Sequence, residues 1–317
     1  MESIKGLIDS ELLSLISNSY SLRLRDKIEY ALLSEGKRLR PFLVILSAES
    51  VGGRRDDVRT LALAIELIHT ATLIHDDVLD RDVLRRGSLA VHARWSVHDA
   101  ILVGDALLSI AIKLAASYGK EVLLIAADTG LSLCDGEYVD MDWADSKMAE
   151  ETYLEKIRKK SASLFKAAAQ GGAMVAGGSY PEVDALAGYG ECFGVAYQIR
   201  DDLTDIFSLK GLSVDLKERR VTLPIIHLYQ SYNSREKRNL LRSLKAIKSG
   251  GDLSRIFLKK LESDLRTRGS LKYCGEKIDE YVDRAIACVE PLKEDVYKSY
   301  LIKFAKSLRI REGNLRE

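Results

Sequence analysis

The run from Val58 to Leu79 is long and mostly apolar, and its last turns carry three aspartates, Asp76, Asp77 and Asp80. A helix that is apolar on most of its faces belongs in the middle of a fold rather than at its edge. The apolar core of this run, Leu61–Ile74, is interrupted by Glu66 and His69 and is too short to cross a bilayer. At about 100° per residue, positions four apart on a helix fall about 40° from one another, so Asp76 and Asp80 share a face. Carboxylates placed that way repel unless something positive sits between them, and burying them uncompensated is very costly. A hard divalent cation answers the problem. Mg²⁺ commonly takes one or two carboxylates together with substrate phosphates. The same Asp-Asp-x-x-Asp pattern returns as Asp201, Asp202 and Asp205 after Val195–Arg200, and two such clusters suggest a site that handles a polyphosphate.

The rest of the chain supports a helical frame. Only four of 317 residues are proline (Pro41, Pro181, Pro224, Pro291), and no Gly/Ser- or Pro-rich linker divides the sequence. Leu, Ala, Ile, Lys, Glu and Arg dominate, which favours helix. The expected fold is all-α: a single domain over 1–317, with ten or more helices bundled around a central apolar cavity. One or two amphipathic helices are expected over Ile4–Leu33, a helix from Pro41 to Gly52-Gly53, and a long, mostly apolar one over Val58–Leu79. Buried helices are expected over Ala100–Tyr118 and Lys120–Asp142. Thr152–Val175, Val183–Phe207, Leu223–Gln230, Ser234–Lys248 and segments from Leu253 to Arg309 complete the set. Arg81–Ser88 and Lys210–Arg220 read as polar loops, and no strand pattern stands out. A formal charge of +1 gives no global basic field, which argues against a nucleic-acid partner. Cys134, Cys192, Cys274 and Cys288 form no Cys-x-x-Cys pair and read as buried thiols in a reducing cytosol. Met1–Ile16 carries Glu2, Lys5, Asp9 and Glu11 and is neither a signal peptide nor a spanning helix. A soluble, cytoplasmic protein is expected.

Cations accompany the acidic clusters. Gly36-Lys37-Arg38-Leu39-Arg40-Pro41 puts three positive charges at a helix start, where backbone amides also favour anions. His69 lies two turns before Asp76 on the same helix. Arg85 and Arg86 follow Asp80 within two turns, and arginine suits bidentate phosphate binding. Together these residues describe a pocket with metal-bound phosphate at one end and salt-bridged phosphate at the other.

Seven segments, in order and spacing, resemble the trans-isoprenyl diphosphate synthases (polyprenyl synthetases) over nearly the whole chain. They are Gly36–Pro41, Glu66–Asp80, Arg85-Arg86-Gly87, Gly104-Asp105, Lys160–Phe165, Gln198–Asp205 and Thr222-Leu223-Pro224. The resemblance implies an isoprenoid synthase fold, a homodimer, and condensation of isopentenyl diphosphate with an allylic diphosphate. It implies that Asp76, Asp77 and Asp80 hold Mg²⁺ ions on the allylic diphosphate and that Asp201, Asp202 and Asp205 hold a further one, three in all. Arg85, Lys160 and Arg220 would contact the same leaving group, while Lys37, Arg40, His69 and Arg86 would bind isopentenyl diphosphate. Gln198 and Ser161 would lie beside the developing allylic cation. No Ser/His/Asp nucleophile arrangement is needed for this chemistry.

Departures from the family pattern fall mainly near the second cluster. Arg219-Arg220-Val221-Thr222 stands where Gly-Lys-x-Thr is usual, Ser161 replaces a threonine, Leu89-Ala90 replaces Pro-Thr, and Lys210–Asp215 is short. In this family a bulky aromatic four or five residues before the first aspartate blocks the product tunnel; here those positions are Thr72 and Ala71, both small. The product is therefore expected to exceed farnesyl, at about twenty-five carbons or more, with geranylgeranyl as the alternative and Ala106–Leu114 as a candidate deeper floor. Such a product could be membrane-associated, although the chain itself is expected to have no transmembrane segment. A terpene cyclase would have no use for the isopentenyl-binding set. A non-catalytic partner subunit would typically lose one acidic motif, and a purely structural helical protein would not carry the ordered series.

Overall fold

A computed structural model describes residues 2–19, 22–33, 36–141, 148–206, 221–248 and 255–310. Helices dominate: α1 (Glu2–Ser19), α2 (Leu22–Leu32), α3 (Leu39–Ser50), α4 (Arg55–Asp80), α5 (Val91–Arg94), α6 (Val97–Ala115) and α7 (Lys120–Met141) come first. They are followed by α8 (Glu150–Ile157), α9 (Ser163–Val175), α10 (Tyr180–Ile206), α11 (Leu223–Ser231), α12 (Ser234–Lys248), α13 (Arg255–Thr267), α14 (Ser270–Cys288) and α15 (Val296–Lys306). The all-α expectation holds. Strand structure among the described residues is confined to a minimal hairpin inside the loop expected at Arg81–Ser88. There β1 (Leu84–Arg85) pairs antiparallel with β2 (Ser88–Leu89), Leu84 opposite Leu89. Its two-residue turn, Arg86-Gly87, has positive φ at both positions (52° and 82°), the backbone that a type I′ turn demands.

The chain forms two compact units. The first comprises Met1–Thr129, Leu164–Ala187 and Pro291–Tyr300, and the second comprises Gly130–Ser163, Gly188–Glu290 and Leu301–Glu317.

In the first unit α4 is the central element. Asp56 and Asp57 in its first turn suit the positive end of the helix dipole, and Arg81, left-handed at φ 60°, closes it with its N–H on the Asp77 carbonyl. Leu61 through Ile68 are buried without a break, so α4 is covered nearly all round, chiefly by α6 and α3. Gly104 makes the α6 contact possible, since a Cβ there would stand 2.1 Å from Nε2 of His75. Gly172 on α9 does the same against α3, where a Cβ would meet the Val44 carbonyl at 2.3 Å. The helix is longer than its apolar core suggested: its 26 residues could span a bilayer by length, but 67% of its most apolar window is buried inside the protein. The stretch Val97–Tyr118 also passes by length and is 39% buried. On α6 the expectation of a fully buried helix fails, because Ile101, Leu102 and Ile112 are exposed.

In the second unit Tyr189 and Phe193 of α10 are fully buried, the former donating its hydroxyl to the Leu301 carbonyl at 2.8 Å and the latter stacking on Phe304 at 4.4 Å. Thr152–Val175, expected as one helix, is broken by a wide π-helical turn over Arg158–Ala162 between α8 and α9. Such turns gather at functional sites, and this one presents Lys160 and Ser161.

Candidate active site

The carboxyl-terminal end of α4 divides its three aspartates between two tasks. Asp76 and Asp80 are partly exposed, whereas Asp77, one position and about 100° further round than Asp76, is buried. Asp77 Oδ1 accepts Nε of Arg85 at 2.6 Å and also Nη2 of the same guanidinium. Burial raises the Asp77 carboxyl above its ordinary pKa, and Arg85 pulls the other way. Arg85 also reaches Asp82 at 3.4 Å. The middle aspartate therefore holds an arginine at the base of the hairpin, and the outer two share the face expected for them.

Two turns back along α4 lies a basic cluster. Nη1 of Arg40 stands 3.0 Å from Nε2 of His69, and the Arg40 guanidinium centre lies 4.2 Å over the Phe165 ring. An arginine can only donate, so His69 accepts at Nε2 and carries its proton on Nδ1. Burial, then Arg40, Arg86, Arg38 and Arg85, holds the His69 pKa well below its ordinary value, and the ring is neutral. Gly36 lies beneath Arg86, whose Nη1 would stand 2.9 Å from a Cβ added there. Of the set Lys37, Arg40, His69 and Arg86, the last three thus come together, while Lys37 is exposed on the adjoining loop.

Arg38 departs from the sequence reading. It is 6% exposed, left-handed at φ 50°, and donates to Glu66 at 2.6 Å, to Asp9 at 2.7 Å and to the Leu32 carbonyl. Its charge is spent inside the protein rather than offered to an anion. Glu66, itself buried, is raised by desolvation and lowered by Arg38, Arg40 and Arg86. A buried carboxylate inside an apolar helix was the available signal for this pair.

The second unit holds the other expected residues. Ser161 donates to Oε1 of Gln198 at 2.7 Å, and Gln198 donates through Nε2 to Asp202 at 2.7 Å. Tyr153, which sequence reasoning missed, donates to the other Asp202 oxygen at 2.7 Å. Burial pushes the Asp202 carboxyl up to about 6, with Lys156, Tyr153 and Gln198 opposing. Lys160 pairs with Glu137 at 2.5 Å, another partner not anticipated. Gly136 lets α7 approach the π-helical turn there, because a Cβ would lie 2.6 Å from the Lys160 nitrogen. Asp201 is exposed. Asp205 lies on α10 in register with Asp201, its side chain outside the described residues, as are Arg219, Arg220 and the Lys210–Asp215 segment.

These donors suit a hard cation. The first cluster offers Asp76 and Asp80 four apart, with Asp77 engaged by Arg85, and the second offers the exposed Asp201, with Asp202 engaged by Tyr153 and Gln198; the available donor atoms are carboxylate oxygens. Among the described residues no three acidic, His or Cys groups converge on one point. Two carboxylates with the remaining sites left to phosphate and water is the pattern Mg²⁺ favours.

Along α4, Ala71 is fully buried and the Thr72 hydroxyl bonds the His69 carbonyl at 2.8 Å. Deeper in the first unit an apolar cavity of about 20 Å³ is lined by Ile65 and Ile68 of α4, Ala115, Ile125 and Thr129, and Leu164 of α9. None of Ala106–Leu114 lines it, so this wall is built by α7 and α9 rather than by the middle of α6.

Residues 22–257 match the family described as polyprenyl synthetase. The chain belongs to that family. It is a trans-prenyltransferase that makes polyprenyl diphosphates. It is 35% identical over 295 residues to the short chain isoprenyl diphosphate synthase of Methanothermobacter thermautotrophicus, covering 90% of this chain and 89% of the relative. It is 33% identical to the octaprenyl diphosphate synthase of Escherichia coli over 283 residues, 87% of this chain and 86% of that one. Among solved structures, the polyprenyl synthase of Caulobacter crescentus complexed with calcium and isoprenyl diphosphate superposes with a TM-score of 0.87 at 28% identity, covering 97% of this synthase and 94% of that chain.

Proposed function

We propose that this synthase is a Mg²⁺-dependent enzyme that condenses isopentenyl diphosphate with an allylic diphosphate, head to tail and trans, to give a product beyond farnesyl. The observation that carries the reading is the layout of α4. His69, with Arg40 and Arg86 around it, stands on one helix with the outer aspartates, about 10 Å from Asp76 and about 16 Å from Asp80 at 1.5 Å rise per residue. One end attracts a diphosphate through cations, the other through carboxylate-bound metal. Asp76, Asp80, Asp201, Asp202 and Asp205 are the residues that would hold Mg²⁺, three ions in all, with Asp77 supporting them through Arg85.

When bound, Mg²⁺ neutralises the charge that builds on the departing diphosphate. The chain supplies the rest. Arg85, Lys160 and Arg220 carry positive charge to the leaving group, and Lys37, Arg40 and Arg86 hold isopentenyl diphosphate. Neutral His69 orients Arg40. The Ser161–Gln198–Asp202 hydrogen-bond chain fixes the Gln198 amide, so that oxygens of Ser161 and Gln198 lie toward the allylic carbon as positive charge develops. Apolar walls exclude water from that carbon.

Thr72 and Ala71 are small, and the apolar cavity in the same unit is also lined by small residues, Ala64, Ala115, Ala126, Ala167 and Gly171; both features support a long product. The relatives include short-chain, octaprenyl and nonaprenyl synthases, so product analysis is the test of length. Purified protein with Mg²⁺, farnesyl diphosphate and labelled isopentenyl diphosphate should yield dephosphorylated products of about twenty-five carbons or more. Ala71→Phe should shorten that ladder. A ladder that stops at geranylgeranyl in the unmodified enzyme, or one unchanged in the variant, sinks the length assignment. Total absence of incorporation by folded protein favours a partner-subunit role. The exposed Ile101, Leu102 and Ile112 on α6, with Leu124 on α7, support a homodimer through this face, which light scattering of wild type and Leu102→Glu tests. The cytosolic placement rests on cysteines that carry no disulfide.

A further inference from the structure

The mechanism makes no use of two thiols in the second unit. Gly188 and Cys192 stand four apart on α10 and so share a face. Against that face lies Cys288, the last residue of α14. A Cβ at Gly188 would be 3.0 Å from its Sγ, so the sulfur rests on the bare backbone of α10. One turn further on, the Cys192 thiol is hydrogen-bonded with Cys288. Cys192 is 8% exposed, whereas Cys288 is partly open to solvent. Arg284, one turn before Cys288 on α14, brings a positive charge within reach of Cys192.

We propose that Cys192 and Cys288 form an oxidisable dithiol, a modification site where peroxide installs a reversible disulfide between α10 and α14. The sulfur of Cys288 rests against α10 one turn from Cys192, so the two cysteines stand on facing helices, and the link forms as their Cβ atoms come within about 4.5 Å. The more accessible Cys288 meets the oxidant first: its sulfur attacks a peroxide oxygen, the O–O bond breaks, and a sulfenic acid and one water result. The Cys192 sulfur then attacks that sulfenic sulfur, the S–O bond breaks and a second water leaves. In sum, two thiols lose two electrons and two protons, and one hydrogen peroxide becomes two waters. The link ties down the helix that carries Gln198, Asp201 and Asp202. A dithiol reductant reverses it by exchange. Disulfides in reducing compartments are characteristically of this transient, redox-sensing kind.

The test uses the full-length protein, reduced and then exposed to stoichiometric hydrogen peroxide. Intact mass should fall by two hydrogens per chain, tandem mass spectrometry should find the Cys192 and Cys288 peptides joined, and dithiothreitol should restore the starting mass. The oxidised form should melt higher than the reduced form. In Cys192→Ser, dimedone should trap a sulfenic acid on Cys288, the stalled first step. The proposal is overturned if Cys192 and Cys288 both remain alkylatable while exposed Cys134 is consumed in a link between copies. It is equally overturned if wild-type Cys288 runs on to sulfinic acid with no link formed.

Discussion

The two Asp-Asp-x-x-Asp clusters have one spelling and two electrostatic settings. In each, the middle aspartate accepts hydrogen bonds from side chains of the protein. At the first cluster Asp77 is held by a full positive charge, Arg85, which is itself in a hairpin whose turn requires two left-handed residues. At the second, Asp202 accepts from two neutral donors, Tyr153 and Gln198, and burial drives its carboxyl up to about 6 even against the positive charge of Lys156. An arginine compensates a buried carboxylate; a phenol and an amide only solvate it. The motif therefore specifies where oxygens sit, while its neighbours decide how firmly the negative charge is kept.

Removing an outer aspartate should have the largest effect. Asp76→Ala or Asp80→Ala takes away a carboxylate that an ion and substrate phosphate would share, and losing several kcal/mol of transition-state stabilisation means about a thousandfold in kcat/KM. Steady-state incorporation of labelled isopentenyl diphosphate measures it. Loss under tenfold, with helix content intact, would break the assignment of the outer pair to metal.

The middle aspartates should then separate the clusters in stability rather than in rate alone. Asp77→Asn leaves the Arg85 guanidinium beside a neutral amide in a mostly buried place, and removing one partner of such a pair costs about 3 kcal/mol. Asp202→Asn keeps an oxygen for Tyr153 and relieves a buried charge, so its cost should stay under about 1 kcal/mol. Urea unfolding of the metal-free proteins checks the order. Equal losses would mean that the two settings do not differ as the charges imply.

A pH series sharpens the same contrast. The folded Asp202 carboxyl protonates near 6, whereas in the unfolded chain an aspartate titrates near 3.9. Between those values the folded state binds the extra proton, so the stability of the chelator-treated enzyme should gain a rising component as pH falls through about 6 toward 4. Asp202→Asn should lose that component. A slope identical in both proteins would assign the titration elsewhere.

How much of this was legible beforehand follows from sequence distance. Asp76 and Asp80, or His69 and Asp76, lie on one helix, and the helical period alone sets their spacing. The cations at Lys37, Arg40 and Arg86 could be named by their types, but Arg38 could not be told from them. Its burial on Glu66 and Asp9 depends on how α1, α3 and α4 pack, which no local pattern encodes. The hairpin at Arg86-Gly87 escaped because one of its two left-handed residues is an arginine, not the usual Asn or Asp. The π-helical turn at Lys160-Ser161 escaped because an apolar periodicity reads through it. Tyr153 had no signal at all, since its partner Asp202 is 49 residues away.

That unsignalled tyrosine carries the smallest expected effect and the finest test. Its hydroxyl is buried and its pKa is well above the ordinary value, so it is always a donor to Asp202. Tyr153→Phe keeps the ring and its packing but removes the hydrogen bond that the Tyr153 hydroxyl donates to the carboxylate, leaving the one from Gln198. A hydrogen bond to a charged group contributes about 1.5 kcal/mol, or roughly tenfold. Because that bond favours the ionised carboxyl, its loss should raise the Asp202 pKa further, and the acid limb of the rate profile should move to higher pH. A structural tyrosine that merely filled space would lower stability without moving that limb. Mg²⁺-saturated kcat/KM measured from pH 5 to 8 distinguishes the two, and Asp202→Asn in the same background should leave Tyr153→Phe with no limb to shift.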